Sequence, residues 1–428
     1  MYKMKKFAYL CLGLLASTQV YAAGYQLQEY SVTGLGRAFA GSGVMGDDYS
    51  AIAFNPAGMS LVDKSGLQVG AVATDVRGKV WGYSDPKVSG YPTGIHKSGK
   101  TGSRIFRIMP HFFGQYKVNE KTDLGLGLYV PFGLANDYKN NWFGTEHGQY
   151  SAITVVNLTP TISYKILDSV SLGLGINIQY ASAHLTGAVA GGGSTDLNHA
   201  DDAGVGYTLG LTYKPFKTTR FGLSYRSKVK HKLEGRNDGS SSKILAFSGA
   251  TAFLNGTHKV NAEITTPETV IFSAAQDIGE KWTLSGIARW TRWSRFDRLD
   301  IYQENKGIMT GTTDLLSSTE EHWKNTWLFG LGADYKYCKN LTLRLGTAWD
   351  TSAIRSPEYR TPRIPDQRRI WASFGASYMK NNWQADIGYS HLFVHKAQAY
   401  GTSKGSGSFY GKYRIQSDIF GLAVQYKF

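Results

Sequence analysis

The last nine residues alternate without a break. Phe420, Leu422, Val424, Tyr426 and Phe428 are separated by Gly421, Ala423, Gln425 and Lys427, and the sequence stops there. A period of two puts successive side chains on opposite faces of a strand, here one greasy and one small or polar. A tilted strand needs about 9–11 residues to cross a bilayer's hydrocarbon core, and this stretch supplies that length. The same pattern recurs upstream. Leu124, Leu126, Leu128 and Val130 are spaced by Gly125, Gly127 and Tyr129, and Val170, Leu172, Leu174, Ile176, Ile178 and Tyr180 by Ser171, Gly173, Gly175, Asn177 and Gln179. It returns in 203–215 and 340–352.

About 14 such segments can be marked, at 66–83, 103–118, 122–130, 151–166, 170–184, 203–215, 219–234, 259–276, 281–298, 323–338, 340–352, 367–380, 382–398 and 410–428. Short connections alternate with long ones at about 84–102, 131–150, 185–202, 235–258, 299–322, 353–366 and 399–409. Short turns on one side and long loops on the other are the pattern of a transmembrane barrel. Glycine supports this reading. It makes up 50 of 428 residues, well above the ~7% of average chains, and it falls on the faces opposite the Leu and Val. Glycine weakens a soluble strand, whereas on the inner face of a barrel it leaves room. Trp282, Trp290, Trp349 and Trp383 lie near predicted strand ends, where interfacial girdles belong.

Residues 1–22 read as a secretory leader: Lys3, Lys5 and Lys6, an apolar run from Phe7 to Ala16, and Val20-Tyr21-Ala22 before the cut. The charge is +15, three units of it in this leader. Two cysteines exclude a disulfide scaffold. After cleavage only Cys338 remains.

Residues 23–65 do not alternate. They are rich in Gly and Ala, with a turn at Asn55-Pro56-Ala57. A wide barrel without a plug encloses an aqueous hole, and this segment is the natural plug. The expected fold is therefore all-β: a transmembrane antiparallel β-barrel of about 14 strands (66–428) with an N-terminal hatch (23–65) in its lumen. The final aromatic strand resembles the one by which bacterial outer-membrane barrels are recognised for insertion. This implies an insertion signal at Tyr426 and Phe428 and barrel-assembly machinery as a partner.

Specific stretches carry a closer resemblance. They are Ala23-Gly24-Tyr25-Gln26-Leu27-Gln28-Glu29-Tyr30-Ser31, Gly34-Leu35-Gly36-Arg37-Ala38, Asp47-Asp48, Asn55-Pro56-Ala57, Tyr225-Arg226-Ser227-Lys228-Val229-Lys230, Pro267-Glu268, Thr291-Arg292-Trp293-Ser294 and Ile364-Pro365-Asp366-Gln367. With these the chain resembles the FadL-type outer-membrane transporters of long-chain fatty acids and other hydrophobic compounds, over essentially all of its mature length. The resemblance implies a monomeric barrel that captures ligand between outer loops. It passes the ligand to a pocket lined by the hatch N-terminus (Ala23, Gly24, Tyr25, Gln26, Leu27) and releases it sideways through a kinked third strand, here at Pro131 and Gly133. Asn55, Pro56 and Ala57 would form the hatch turn. Within the family the ligand is a fatty acid or a monoaromatic hydrocarbon.

Other candidates come from the residues themselves. Ile244, Leu245, Phe247, Phe253 and Leu254 make loop 235–258 unusually apolar, which fits a capture groove or packing between loops. Leu185, Val189 and Leu197 are on the facing loop. By parity Arg226, Lys228, Lys230 and Lys232 share one strand face, predicted to point into the lumen or over its rim. There they could meet a ligand carboxylate, Asp47-Asp48, or lipopolysaccharide phosphates. Arg289, Arg295 and Arg298 are alternative carboxylate contacts.

Gly94–Thr101 fits G-x-x-x-x-G-K-[ST], but a loop precedes it and an alternating strand follows it, so no helix N-terminus is there to cradle phosphate. No H-E-x-x-H or G-x-S-x-G motif occurs, and the ten histidines are scattered. No enzyme, metal or cofactor is expected. Export removes nucleic acid as a partner of the basic chain. A general porin and an adhesin are the remaining classes, and the plug and apolar loop oppose the porin.

Overall fold

The computed structural model describes residues 24–88, 91–138, 141–188, 193–241, 256–304, 313–403 and 407–428. They form one closed antiparallel barrel of 14 strands. Nine run uninterrupted: β1 Gly66–Asp85, β2 Lys97–Lys117, β3 Thr122–Asp137, β4 Tyr150–Leu167, β5 Val170–Ala188, β6 Gly193–Phe216, β11 Leu341–Asp350, β12 Arg369–Lys380 and β14 Gly407–Lys427. Five are broken in two: β7 (Thr219–Arg226, Val229–Ser241), β8 (Gly256–Thr266, Thr269–Ile278), β9 (Trp282–Thr291, Arg298–Glu304), β10 (Thr313–Glu320, Thr326–Cys338) and β13 (Trp383–Val394, Ala397–Ser403). Neighbours pair in chain order. β1 then pairs with β14 from Gly66↔Lys427 to Asp85↔Ser408, closing the ring.

The alternation sorts the two faces. Leu422, Phe420, Val424 and Tyr426 are exposed outward, while Ala423, Ile419 and Gln425 are buried. Trp282, Trp349 and Trp383 are exposed near strand ends. Short turns at 118–121, 168–169, 217–218, 279–281, 339–340 and 381–382 mark one end. Asn381 and Gly279 turn there through positive φ (55° and 60°).

Most of the long loops are shorter than the sequence predicts, the connection 351–368 between β11 and β12 being longer. β5 and β6 stay paired to Ala188↔Ser194, β7 runs to Ser241, and β13 and β14 pair to Ser403↔Gly407. Beyond the membrane a hairpin keeps its backbone ladder while neither face must be greasy, so the alternation fades although the strand continues. β3 likewise passes Pro131 and ends at Asp137.

Residues 24–65 lie inside the ring and are almost wholly buried. Glycines on the strands make room for them. A Cβ on Gly173 would come within 2.2 Å of the Ala57 nitrogen, and one on Gly346 within 2.2 Å of the Arg37 carbonyl carbon. These are backbone obstacles that no rotamer change relieves. Replacing Gly346 with Leu is expected to cost roughly 1–3 kcal/mol and to loosen the inner segment. Limited proteolysis of the heat-resistant barrel checks this: cleavage within 24–65 is expected, and resistance equal to the parent refutes the close fit.

Candidate functional site

The inner segment is built from short, capped pieces. Helix α1 (Val32–Gly36) starts at Ser31, whose Oγ accepts from the Gly34 N–H at 2.9 Å. Helix α2 (Ala51–Phe54) runs into a 3₁₀ turn at Pro56–Leu61. Asn55 caps that turn by accepting from the Ala57 N–H at 3.2 Å, and its amide donates to the Leu211 carbonyl of β6 at 3.1 Å. The predicted Asn55-Pro56-Ala57 turn is thus also an anchor to the wall.

A buried ion quartet holds the opposite side. Arg37 donates to Asp47 at 2.8 and 2.9 Å and to Asp334 of β10 at 3.0 Å. Arg344 of β11 donates to the same two carboxylates at 3.0 Å each. Two guanidiniums and two carboxylates alternate, so the group is neutral. Burial by itself would raise the Asp47 carboxyl, but Arg37 and Arg344 hold it well below the usual range. Asp48 instead accepts from Ser31, Thr33 and Ser50 at 2.7, 2.8 and 2.6 Å. Neither aspartate meets the Arg226–Lys232 stripe.

The N-terminal end, Gly24–Glu29, sits in a cage. The ring of Tyr25 is fully buried and lies 4.6 Å from Trp293, 5.8 Å from Phe296, and 6.0 Å from both Phe132 and Trp323, centre to centre. Burial and the Glu321 carboxylate push its phenol upward. Gly24 packs so closely that a Cβ would sit 2.5 Å from Trp323. Gln26 donates to Thr269 at 3.0 Å and accepts from Thr291 at 2.7 Å. Gln28 accepts from Arg289 at 2.7 Å. Burial raises the Glu29 carboxyl, a shift opposed by the Gln28 N–H that it accepts at 2.7 Å.

This end also bonds to β3 where that strand is irregular. The β3–β4 register shifts between Tyr129 and Phe132. There the Leu27 N–H donates to the Pro131 carbonyl and the Gly133 N–H to the Tyr25 carbonyl, both at 2.8 Å, while Gln26 bridges Phe132. Pro131 and Gly133 are therefore brought directly to Tyr25 and Leu27.

The basic stripe needs correction. β7 breaks at Ser227-Lys228 and its parity flips there. Arg226 is buried and points inward, donating to the Ala53 carbonyl at 2.8 Å and the Tyr129 hydroxyl at 3.0 Å. Beyond the break Val229, His231 and Leu233 point inward, and Lys228, Lys230 and Lys232 are exposed on the outer face. Lys230 lies 3.9 Å from Glu263 and Lys232 3.9 Å from Glu234. An extra residue in a strand turns every later side chain to the other face, so Lys228 and Lys230 cannot meet a ligand in the lumen. Arg289 points inward but is bonded to Gln28. Arg295 is paired with Glu268, and Arg298 is exposed.

Ala23, Val189 and the apolar loop residues Ile244, Leu245, Phe247, Phe253 and Leu254 lie outside the described residues. Leu185 and Leu197 are buried together with Val260 and Ile301. Residues that sequence reasoning did not single out tie the connection 351–368 to the end of β3 and to β4. Arg363 donates to the Tyr150 carbonyl at 3.2 Å and to Ser151 at 2.8 Å, and Tyr138 donates to the Pro362 carbonyl at 2.9 Å. Trp323 was not singled out, and Trp293 entered only within the Thr291-Arg292-Trp293-Ser294 stretch of the resemblance, with no role assigned to it. Among the described residues no His/Cys/Asp/Glu group could hold a metal.

A closed barrel with an apolar outer face, girdled by tryptophan and filled by its own N-terminal segment, is an outer-membrane β-barrel protein. Within that class, the chain belongs to the outer membrane transport protein family (OMPP1/FadL/TodX), whose model matches residues 13–428. It is 31% identical to a putative outer-membrane protein of Neisseria meningitidis serogroup B, covering 99% of each chain. It is 27% identical to a long-chain fatty acid transport protein of Escherichia coli, covering 97% of this chain and 96% of that one. A solved Pseudomonas aeruginosa FadL homologue matches with TM-score 0.84 and 25% identity over 95% of this chain and all of that one. The Pseudomonas putida toluene transporter TodX matches in fold, with TM-score 0.69 and 16% identity over 96% and 100%.

The quartet makes a test possible. Replacing Arg344 with Met leaves two buried carboxylates sharing one guanidinium, a loss of about 3–5 kcal/mol. A clearly lowered unfolding midpoint is expected, and it should be partly restored by adding Asp334→Leu. Equal midpoints for parent and single variant refute the role of the quartet.

Proposed function

We propose that this protein takes up hydrophobic molecules passively across the outer membrane, with long-chain fatty acids as the first substrate class. The observation that carries the reading is the junction of Tyr25 and Leu27 with β3. A ligand entering the aromatic cage must displace Tyr25, and displacing it breaks the two backbone bonds to Pro131 and Gly133. The irregular stretch of β3 then loses its inner partner, and a lateral route through the wall can open. Residues 23–65 act as the hatch in this scheme, and the leader 1–22 is removed before insertion.

The relatives named for fatty acid transport and the TM-score of the FadL homologue favour fatty acids over monoaromatic hydrocarbons. The four-ring cage around Tyr25 is the feature that favours the aromatic alternative. Loop residues 244–254 are proposed to collect ligand at the surface. The carboxylate of a fatty acid would meet Arg289 or Arg226 once the hatch shifts and their present acceptors, Gln28 and Ala53, move away. The protein acts as a monomer in contact with outer-membrane lipid and lipopolysaccharide, and Tyr426 and Phe428 serve its recognition by the barrel-assembly machinery.

Tyr25→Ala, which vacates the cage so that a ligand no longer has to displace the ring, is expected to tighten binding of a long-chain fatty acid on the order of ten-fold. Binding to the heat-resistant purified barrel measures this, and unchanged affinity sinks the pocket role. A steady large single-channel conductance in the parent protein would instead mark a general porin. Phe428→Gln is expected to lower the amount of barrel in the outer membrane, and normal levels count against the terminal signal.

A further inference from the structure

The outer wall of β14, β1 and β2 carries a cluster of cations that carboxylates among the described residues neutralise only in part. Arg77, Lys79, Arg104 and Arg414 are exposed on the outward face, with Lys100 and the half-buried Lys412 beside them. The register sets like charges directly opposite one another: Lys79 faces Arg414, and Arg77 faces Arg104. Trp81 lies between Lys412 and Lys100. Directly opposed like charges destabilise a sheet. Asp75 and Asp418 relieve only the lower edge, where Asp75 accepts from Arg104 at 2.9 and 3.0 Å and Asp418 accepts from Arg77. For Lys79, Lys100, Lys412 and Arg414 no carboxylate lies within salt-bridge range among the described residues. The outward lysines of β7 are different, since Glu263 and Glu234 accompany them.

The height of the cluster identifies its environment. Arg77 follows the start of β1 at Gly66 by eleven residues and Arg414 precedes Phe428 by fourteen. With ~3.3 Å per residue and a tilt of ~40°, these lie roughly 28 and 35 Å above the short-turn end. The apolar band of such barrels is ~25 Å tall; Phe420 lies one outward position below Asp418, and Phe106 stands directly opposite Asp75 at the acidic edge, with Arg104 next above it. The cations therefore stand in the head-group layer on the loop side. Trp81 and the stacked pair Tyr83–Tyr410, 5.4 Å apart, accompany them.

We infer that this face of β14–β1–β2 is a binding site for the phosphorylated glycolipid of the outer leaflet, lipopolysaccharide. Its phosphates sit among Lys79, Lys100, Lys412 and Arg414, and its sugar rings lie against Trp81 and Tyr410. The inference deepens the reading of lipopolysaccharide as a partner and rests on it. The phosphates remove the repulsion that the register builds in, in the way divalent cations join neighbouring glycolipids. Bound lipid thereby stiffens the β14–β1 seam where the barrel closes.

The test measures binding of purified, detergent-solubilised protein to three probes: bis-phosphorylated lipopolysaccharide, the same lipid dephosphorylated, and inorganic phosphate. The parent is expected to prefer the phosphorylated lipid, with affinity falling as salt rises. Changing Lys79, Lys100, Lys412 and Arg414 to Gln should weaken it on the order of ten-fold or more, while Lys230→Gln with Lys232→Gln leaves it unchanged. Fatty-acid binding should be the same in all three proteins. Equal lipid binding by parent and quadruple variant overturns the patch alone. A parent that binds no lipopolysaccharide in any form overturns the partner reading as well. Competition by inorganic phosphate as effective as by the lipid also overturns the proposal, as it marks a simple anion site. Should the quadruple variant fail to fold, the parent's preference between the two lipid forms and its salt dependence still decide, and no preference refutes it.

Discussion

Everything in this molecule depends on the closure of the backbone hydrogen-bond ladder between β1 and β14. In hydrocarbon an unpaired N–H or C=O costs several kcal/mol, so a strand crosses a bilayer only when both of its edges are paired. The unbroken register from Gly66↔Lys427 to Asp85↔Ser408 meets that condition along the full seam. Once the ring is closed, the side chains divide by parity. Outward positions must suit lipid, and inward positions must suit whatever fills the hole.

What fills it is a segment with almost no regular structure of its own. Its polar groups are matched by capping side chains, by the wall, or by the quartet of Arg37, Asp47, Asp334 and Arg344. Such a segment fits because the wall offers bare backbone at Gly173, Gly346 and similar positions, and because the charges of the quartet meet their opposites. The N-terminal end is held differently, by aromatic packing and by two backbone bonds to an irregular strand. Aromatic contacts can be exchanged for contacts with an apolar ligand at little net cost, whereas a buried ion quartet cannot. The two sides of the inner segment are therefore held by different kinds of contact.

The candidate site was partly legible in the sequence. Tyr25, Leu27, Pro131 and Gly133 could be named from the resemblance, and their direct bonding is consistent with the roles it implies. The basic stripe was misread, because alternation was carried through Ser227-Lys228 as though the strand were regular. Four of the five interrupted strands, β7 to β10, are adjacent in the ring, and at the breaks of β9 and β10 Trp293 and Trp323 turn toward Tyr25 of the inner segment. A parity argument holds only between such breaks, and a break leaves little mark in composition. Hairpin lengths were underestimated for a related reason, since alternation reports the membrane and not the ladder.

The sequence by itself determined the class of fold, the number of strands, and which residues of each regular stretch face lipid. Those properties follow from a period-two pattern acting on nearest neighbours along the chain. Only the tertiary structure decided which charges meet. Arg37 and Asp334 are 297 residues apart, Gln26 and Thr291 are 265 apart, and Lys79 and Arg414 become neighbours only when the barrel closes. Partners across a lumen or a seam share no local pattern, so nothing in the linear order announces them.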